Sequence, residues 1–255
     1  MSRCLLRCMS VHLARSFRSR HSTGSTQLAL SPLLEATKTI PIVFVNVYDP
    51  VALGFTSNLS KPTGNVTGFT LGEFSLGSKM LELLRQIAPQ TIHVTVLLNP
   101  GQSGQAEMLK AIEQAAPTLG METTSLFALN RAELSNALEQ ASSEAQAGLL
   151  VLPIPIFFTY RHEIVDLVAK LRIPAVYALR EFSAIGGLAS LSVDSIEQHR
   201  RAGEYAGRIL NGTKVVDLPV QQPTAYRSLI NLRTAKQMDL AIPPTLLAVV
   251  DEVIE

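Results

Sequence analysis

From residue 93 onward the chain alternates between two kinds of segment, and this alternation limits its fold more than any other feature. HVTVLLNP (93–100), METTSLF (121–127), GLLVLP (148–153) and PAVYAL (174–179) are short runs bounded by turn residues. Between them lie segments with apolar residues at helical spacing, at 104–116, 131–145 and 159–171; in the second of these Leu134, Leu138 and Ala141 share one side. Strands separated by helices of about 10–15 residues cannot pair as hairpins and must be joined by crossovers. The prediction is an α/β chain of βαβ units with a parallel sheet covered by helices on both faces. In open sheets of this kind ligands bind beyond the carboxyl ends of the strands.

The same logic extends to both flanks. IPIVFVNV (40–47) reads as a buried strand stopped by YDP, and a short strand is expected at 66–69 after the turn in SKPTGNVTGF. At 75–87, Leu76, Met80, Leu83, Leu84 and Ile87 recur at helical spacing, and Pro89 follows the stop. Downstream, a helix at 195–210 ends at Asn211-Gly212. LPVQQP and YRSLINL read as extended, RTAKQMDL as a short helix, and PPTLLAVVDEVIE as a terminal helix with proline near its start.

Composition excludes several functions. With 255 residues, 47% of them hydrophobic, the chain can bury a substantial core. Its net charge is +1, but Arg3, Arg7, Arg15, Arg18 and Arg20 stand in the opening 21 residues, so the rest carries about −4 and shows no basic stripe. That argues against nucleic acid as a partner. Cys4 and Cys8 are the only cysteines, too few for a closed zinc site, and the body depends on no disulfide. No apolar run reaches the roughly 18 residues of a membrane span. The opening segment is a poor secretory signal, because Arg7, His12, Arg15 and Arg18 interrupt every apolar stretch; its arginine-rich, acid-free character looks like a transit peptide. Dinucleotide and phosphate loops are missing, the serine of GQSGQ lacks a nucleophile elbow, and the histidines are scattered. The sequons at Asn58, Asn65 and Asn211 read as turn residues. No catalytic residue, cofactor or metal is therefore expected.

Polar side chains collect just past the expected strands: Tyr48, Asp49, Asn99, Tyr177, Arg180 and Glu181. A carboxylate, a guanidinium and two phenols on facing loops suit a small polar or zwitterionic ligand. The structural alternative is that Asp49 caps the next segment and that Arg180 and Glu181 form a surface pair. Phe157 and Phe158 either wall the pocket or start a core helix, with Phe158 assigned to the core.

Several strings together resemble a known family: ATKTIPIVFVNVYDPVALGFTSNLSKPTGNVTGF, KMLELLRQIAP, LLVLPIP and LPVQQPT…LINLRTAKQMDLAIPPTLLAVVDEVIE. They look like the bacterial ABC-transporter substrate-binding proteins, in the branch of tryptophan-binding-type lipoproteins, and the resemblance runs from residue 22 to 255. It implies a type I periplasmic-binding-protein fold of two flavodoxin-like lobes joined by three crossings, which close on a small ligand, an amino acid or related compound. It also implies docking on an ABC permease with an ATPase partner, a periplasmic location and a monomer. Carried onto this chain, the interlobe region includes Ser25, Thr26, Tyr48 and Asp49 from the first lobe. From the second it includes Asn99, Pro153, Pro155, Ile156, Tyr177 and Arg180. Asp49 is expected to meet an ammonium, Arg180 a carboxylate, and Tyr48 or Tyr177 to stack or donate. Two other classes remain open: a ligand-sensing effector module of a regulator, and a flavodoxin-fold enzyme such as a hydrolase.

One departure stands out. Members of this family carry a secretion signal and a strand–helix–strand–helix portion before the point where this chain joins them. The expectation is a truncated chain, or one begun in a misread frame, with 1–21 outside the fold, 22–89 and 195–218 as a first-lobe remnant, and 90–194 and 219–255 as a complete second lobe. On that expectation ligand affinity is impaired, or the product is a non-functional fragment.

Overall fold

The computed structural model describes residues 25–71, 74–102, 104–223 and 225–255. In chain order the elements are α1 (Ser25–Ala36), β1 (Ile42–Val47), β2 (Val66–Thr70), α2 (Leu76–Ile87), β3 (His93–Leu98), α3 (Gln105–Ala115), β4 (Glu122–Phe127), α4 (Arg131–Ser142) and β5 (Ala147–Val151). They continue as α5 (Pro155–Thr159), α6 (Arg161–Leu171), β6 (Ala175–Tyr177), α7 (Arg180–Ala184), β7 (Ala189–Val193) and α8 (Ser195–Leu210). The last are β8 (Tyr226–Asn231), α9 (Leu232–Gln237), α10 (Pro244–Leu247) and β9 (Glu252–Ile254).

The larger lobe is a seven-stranded sheet in the order β4-β3-β5-β6-β7-β8-β9. Neighbours from β4 through β7 are parallel, as the alternation demands; β8 turns antiparallel to β7, and β9 lies parallel to β8. Central strands β3 and β5 are buried along nearly their whole length. Leu76, Met80, Leu81, Leu84 and Ile87 of α2 join the core of this sheet. At Gly77 a Cβ would stand 2.7 Å from Cγ1 of Ile112 on α3, so the missing side chain lets the two helices meet closely.

The smaller lobe holds β1 and β2, which pair in parallel. One face packs on α1 through Leu30, Ile42, Phe44, Val47 and Val66, and Val220 joins them. The other packs on α8 through Val45, Phe69, Tyr205 and Leu218. Phe44 lies opposite Gly68, where a Cβ would fall 2.1 Å from the Phe44 carbonyl oxygen, so only glycine fits. Among the described elements the chain passes between the lobes three times: between β2 and α2, between β7 and α8, and between Gln221 and β8. Within the smaller lobe, side chains hold the segments next to these crossings together: Gln198 Nε2 donates to the Thr70 carbonyl at 2.6 Å, and Thr67 Oγ1 donates to the Leu218 carbonyl at 2.6 Å.

Four expectations change. The terminal helix is only α10, after which the chain becomes β9: the free edge of β8 takes Glu252, Val253 and Ile254 into its ladder, and these backbone bonds outweigh local helix preference. The helix expected at 159–171 is α6, which starts at Arg161, and a separate short helix, α5, precedes it and ends at Thr159. The division near residue 89 moves upstream, because α2 packs on the larger sheet. The division at 218 moves downstream, because Val220 packs in the smaller lobe and Gln221 bridges to Phe69. Among the described residues no helix is long and apolar enough to cross a membrane.

Candidate functional site

Strand β1 runs normally from Ile42 to Phe44 and then shifts register before Val47. The cause is Asn46, whose φ of 57° is left-handed. An extra residue in one strand breaks the alternation of faces, so Phe44 and Val47 share the α1 side although they are three apart. Asn46 is freed from that face and lines a cleft of about 580 Å³ between the lobes. Asparagine tolerates this conformation better than most residues, and strain of this kind concentrates at binding sites.

The cleft collects the carboxyl ends of several strands and two of the crossings. Asn46 comes from β1 and Tyr48 from the residue after it, with Pro153 beyond the end of β5 and Ala178 to Glu181 beyond the end of β6. The turn from β7 into α8 supplies Ser192 to Ile196, with Asp194 as the α8 N-cap accepting from Glu197 N at 3.0 Å. Strand β8 supplies Arg227, Ser228 and Leu229, β9 supplies Glu252, and Asp251 stands just before it. The volume is of the size that holds a small molecule.

Tyr48 is 5% exposed and is the smaller lobe's contribution to the larger core. Burial, reinforced by Tyr226, pushes its phenol far above the usual tyrosine range, so it stays neutral. Its hydroxyl and Asn46 Oδ1 are both buried and have no hydrogen-bond partner among the described residues. Arg180 donates from Nε and Nη2 to the two Glu252 carboxylate oxygens at 2.9 and 2.5 Å. Those hydrogen bonds raise its guanidinium above an already high range, against a smaller opposing effect of burial. Arg227 bridges Asp194 at 3.2 Å and Asp251 at 3.4 Å. Asp251 Oδ2 also accepts from the Ser228 backbone N–H at 2.8 Å and from its hydroxyl at 2.9 Å.

Of the residues anticipated from sequence, Tyr48, Pro153, Arg180 and Glu181 line this cleft. Asp49 instead closes a turn, its Oδ1 accepting from Val51 N at 3.1 Å and Ala52 N at 2.9 Å. Asn99 closes another, accepting from Gly101 N at 3.0 Å. Pro155 starts α5 and Ile156 packs against the core. Tyr177 is 1% exposed and stacks on Phe182 with ring centroids 4.9 Å apart. Phe157 is core, and half-buried Phe158 packs against that core with the Arg161 guanidinium over its ring. Arg180 pairs with Glu252, and the Arg180–Glu181 surface pair does not form. Ser25 and Thr26 fall in the first turn of α1, and their side chains lie outside the described residues. Sequence reading missed Asn46, although a lone polar residue inside an apolar strand was a signal. It missed Asp194, Arg227, Asp251 and Glu252 because they converge only through the antiparallel return of β8 and the pairing of β9.

Comparison with known proteins agrees with this geometry. Residues 23–254 match a family described as ABC transporter substrate binding protein. The tyrosine-binding protein of Clostridioides difficile strain R20291 is 28% identical over 220 residues, which make up 86% of this chain and 61% of that protein. The chain thus spans about three fifths of that relative's length. An ABC domain from Streptococcus pneumonia, solved in complex with L-Trp, superimposes with a TM-score of 0.80 at 22% identity over 89% of this chain and 76% of that one. A conserved domain protein from Vibrio cholerae gives 0.77 at 26% identity, covering 88% of this chain and 75% of that one. The ligand-free, open structure of a substrate binding protein with adhesive properties from Clostridium difficile gives 0.67 at 24%, covering 87% and 74%. The fold is of the type I periplasmic-binding-protein kind.

Proposed function

Because the chain belongs to the ABC transporter substrate binding protein family, we propose that it is the ligand-capturing component of an ABC-type importer. It takes a small polar ligand, an amino acid or related compound, between its two lobes. It works outside the cytoplasm and hands the ligand to a permease driven by an ATPase partner. The observation that carries this reading is the cleft: about 580 Å³, at the carboxyl ends of strands and at the crossings that would flex on closure. The tyrosine named for one relative and the L-Trp bound to a structural neighbour support an amino-acid-sized ligand. Capture needs no bond-making, which fits a family of binding proteins.

Calorimetric titration of the full chain with the common amino acids and their close relatives tests the proposal. We expect saturable one-to-one binding by at least one of them, with a decrease in radius of gyration by small-angle scattering. Flat titrations throughout, at millimolar concentration, would remove it.

A further inference from the structure

The smaller lobe carries a second cavity, of about 340 Å³, that shares no lining residue with the cleft. Ser31, Leu34 and Lys38 come to it from α1 and the turn that follows, Leu53 and Phe55 from the connection between β1 and β2, and Thr63 from the entry to β2. It reaches Val66 at the start of β2, whereas the cleft takes Asn46 and Tyr48 from the finish of β1. The two strands are parallel, so the cavities lie toward opposite ends of the pair. The volume is at the lower end of what holds a small molecule.

The cavity is shaped before any ligand arrives. Asn65 is 8% exposed, and its Nδ2 donates to the carbonyls of Thr37 at 3.3 Å and Ile40 at 2.6 Å. Thr37 Oγ1 accepts from the backbone N–H groups of Thr39 and Ile40 at 3.3 and 3.0 Å. These bonds hold the turn that carries Lys38 against the start of β2. On the other side Thr63 Oγ1 accepts from Ser57 N at 3.3 Å. Gly54 and Gly64 have φ of 71° and 76°, and a Cβ at either would meet nothing within 4 Å, so the backbone is open there. A site ordered in advance loses less freedom on binding.

Its chemistry is the inverse of the cleft's. The cleft wall carries four acids against two arginines, whereas Lys38 is the charged side chain of this wall and no acid joins it among the described residues. Lys38 enters none of the ion pairs among those residues. Leu34, Leu53 and Phe55 are half-buried, packing on the core of the lobe while also lining the cavity. An ammonium without a counterion beside an apolar wall suits an organic anion, whose charge meets the lysine and whose body covers the wall.

We propose that this cavity is a second binding site, for a small carboxylate with a compact apolar body. The carboxylate meets the Lys38 ammonium and accepts from the Ser31 hydroxyl, and the body lies on Leu34, Leu53 and Phe55. This holds whatever the cleft captures. Because the ligand touches α1, the β1–β2 connection and the entry to β2 together, its binding braces the smaller lobe.

The test is calorimetric titration of the full chain with benzoate, with its neutral isostere benzamide, and with sulfate. Saturable benzoate binding is expected, with benzamide and sulfate about fivefold weaker or more. Lys38→Gln, at an exposed site, should weaken benzoate about fivefold, and Ser31→Asp, which sets a like charge against the carboxylate on the exposed face of α1, about tenfold. In amide exchange, benzoate should slow β1 and β2 and leave β3 and β5 unchanged. Flat benzoate titrations at tens of millimolar, benzamide as tight as benzoate, affinity unmoved in both variants, or protection confined to the larger lobe would each overturn the proposal. Sulfate as tight as benzoate would overturn it too, leaving an anion contact that does not use the apolar wall.

Discussion

The two lobes are made from similar sequence and held by different means. In the larger lobe, β3 has β4 on one side and β5 on the other, and helices that follow their strands in sequence cover the sheet. In the smaller lobe two strands pair with each other, and the helix on one face, α8, arrives from more than a hundred residues downstream. Its contacts with 218–221 are similarly remote. A strand pair has little stability of its own and depends on what covers it. The smaller lobe is therefore the part whose order is set by distant chain, and the larger lobe the part set by local repetition.

The sharpest way to break this contrast is Gly68→Ala. The added methyl would meet the Phe44 backbone 2.1 Å away. Backbone cannot swing aside as a side chain does, so we expect about 4 kcal/mol, above the usual range for overpacking. Amide exchange should accelerate through β1 and β2 while β3 and β5 keep their protection. Uniform acceleration in both lobes would show that they unfold as one unit.

Leu84→Ala probes the other side. Leu84 is 0% exposed within the larger core, and its loss should cost about 3 kcal/mol. The loss should appear in β3 and β5 first; a cost below about 1 kcal/mol would mean that the helix–sheet contact is slack.

The smallest effect concerns the seam between β8 and β9. The Ser228 backbone N–H, and then its hydroxyl and Arg227, hold the Asp251 carboxyl below the ordinary range, with burial opposing them. A lowered folded value means that the stabilisation is complete above the unfolded value of about 3.9 and is lost as pH falls through the folded one. Asp251 is about one-third exposed, so Asp251→Asn should cost only about 1 kcal/mol at neutral pH. The denaturation curves of the two proteins should converge once the pH has fallen through the folded value of Asp251. A gap that persists there would assign the loss to packing.

The same contrast explains what could be read in advance. The parallel sheet from β4 to β7 was legible because each strand and its covering helix are neighbours in sequence with different hydrophobic periods. The β9 strand was not, because LAVVDEVIE has no strand signal strong enough to overcome its resemblance to a helix end. Only the free edge of β8 decides it. In the cleft, Tyr48 and Arg180 were legible as polar residues after strands. Asp49 and Asn99 carried the same signal, yet both serve turns, since short polar side chains satisfy their own backbone as readily as a ligand.

Tyr48 is rooted in one lobe and buried in the core of the other. Drawing the lobes apart must pull that ring out of an apolar socket, at a cost of about 2 kcal/mol for a side chain of its kind. That term alone lowers the population of the opened form roughly 30-fold. If only the opened form admits ligand, the apparent dissociation constant rises by the same factor over the intrinsic one. A smaller residue at position 48 would then be a way to improve affinity without adding a single contact to the ligand.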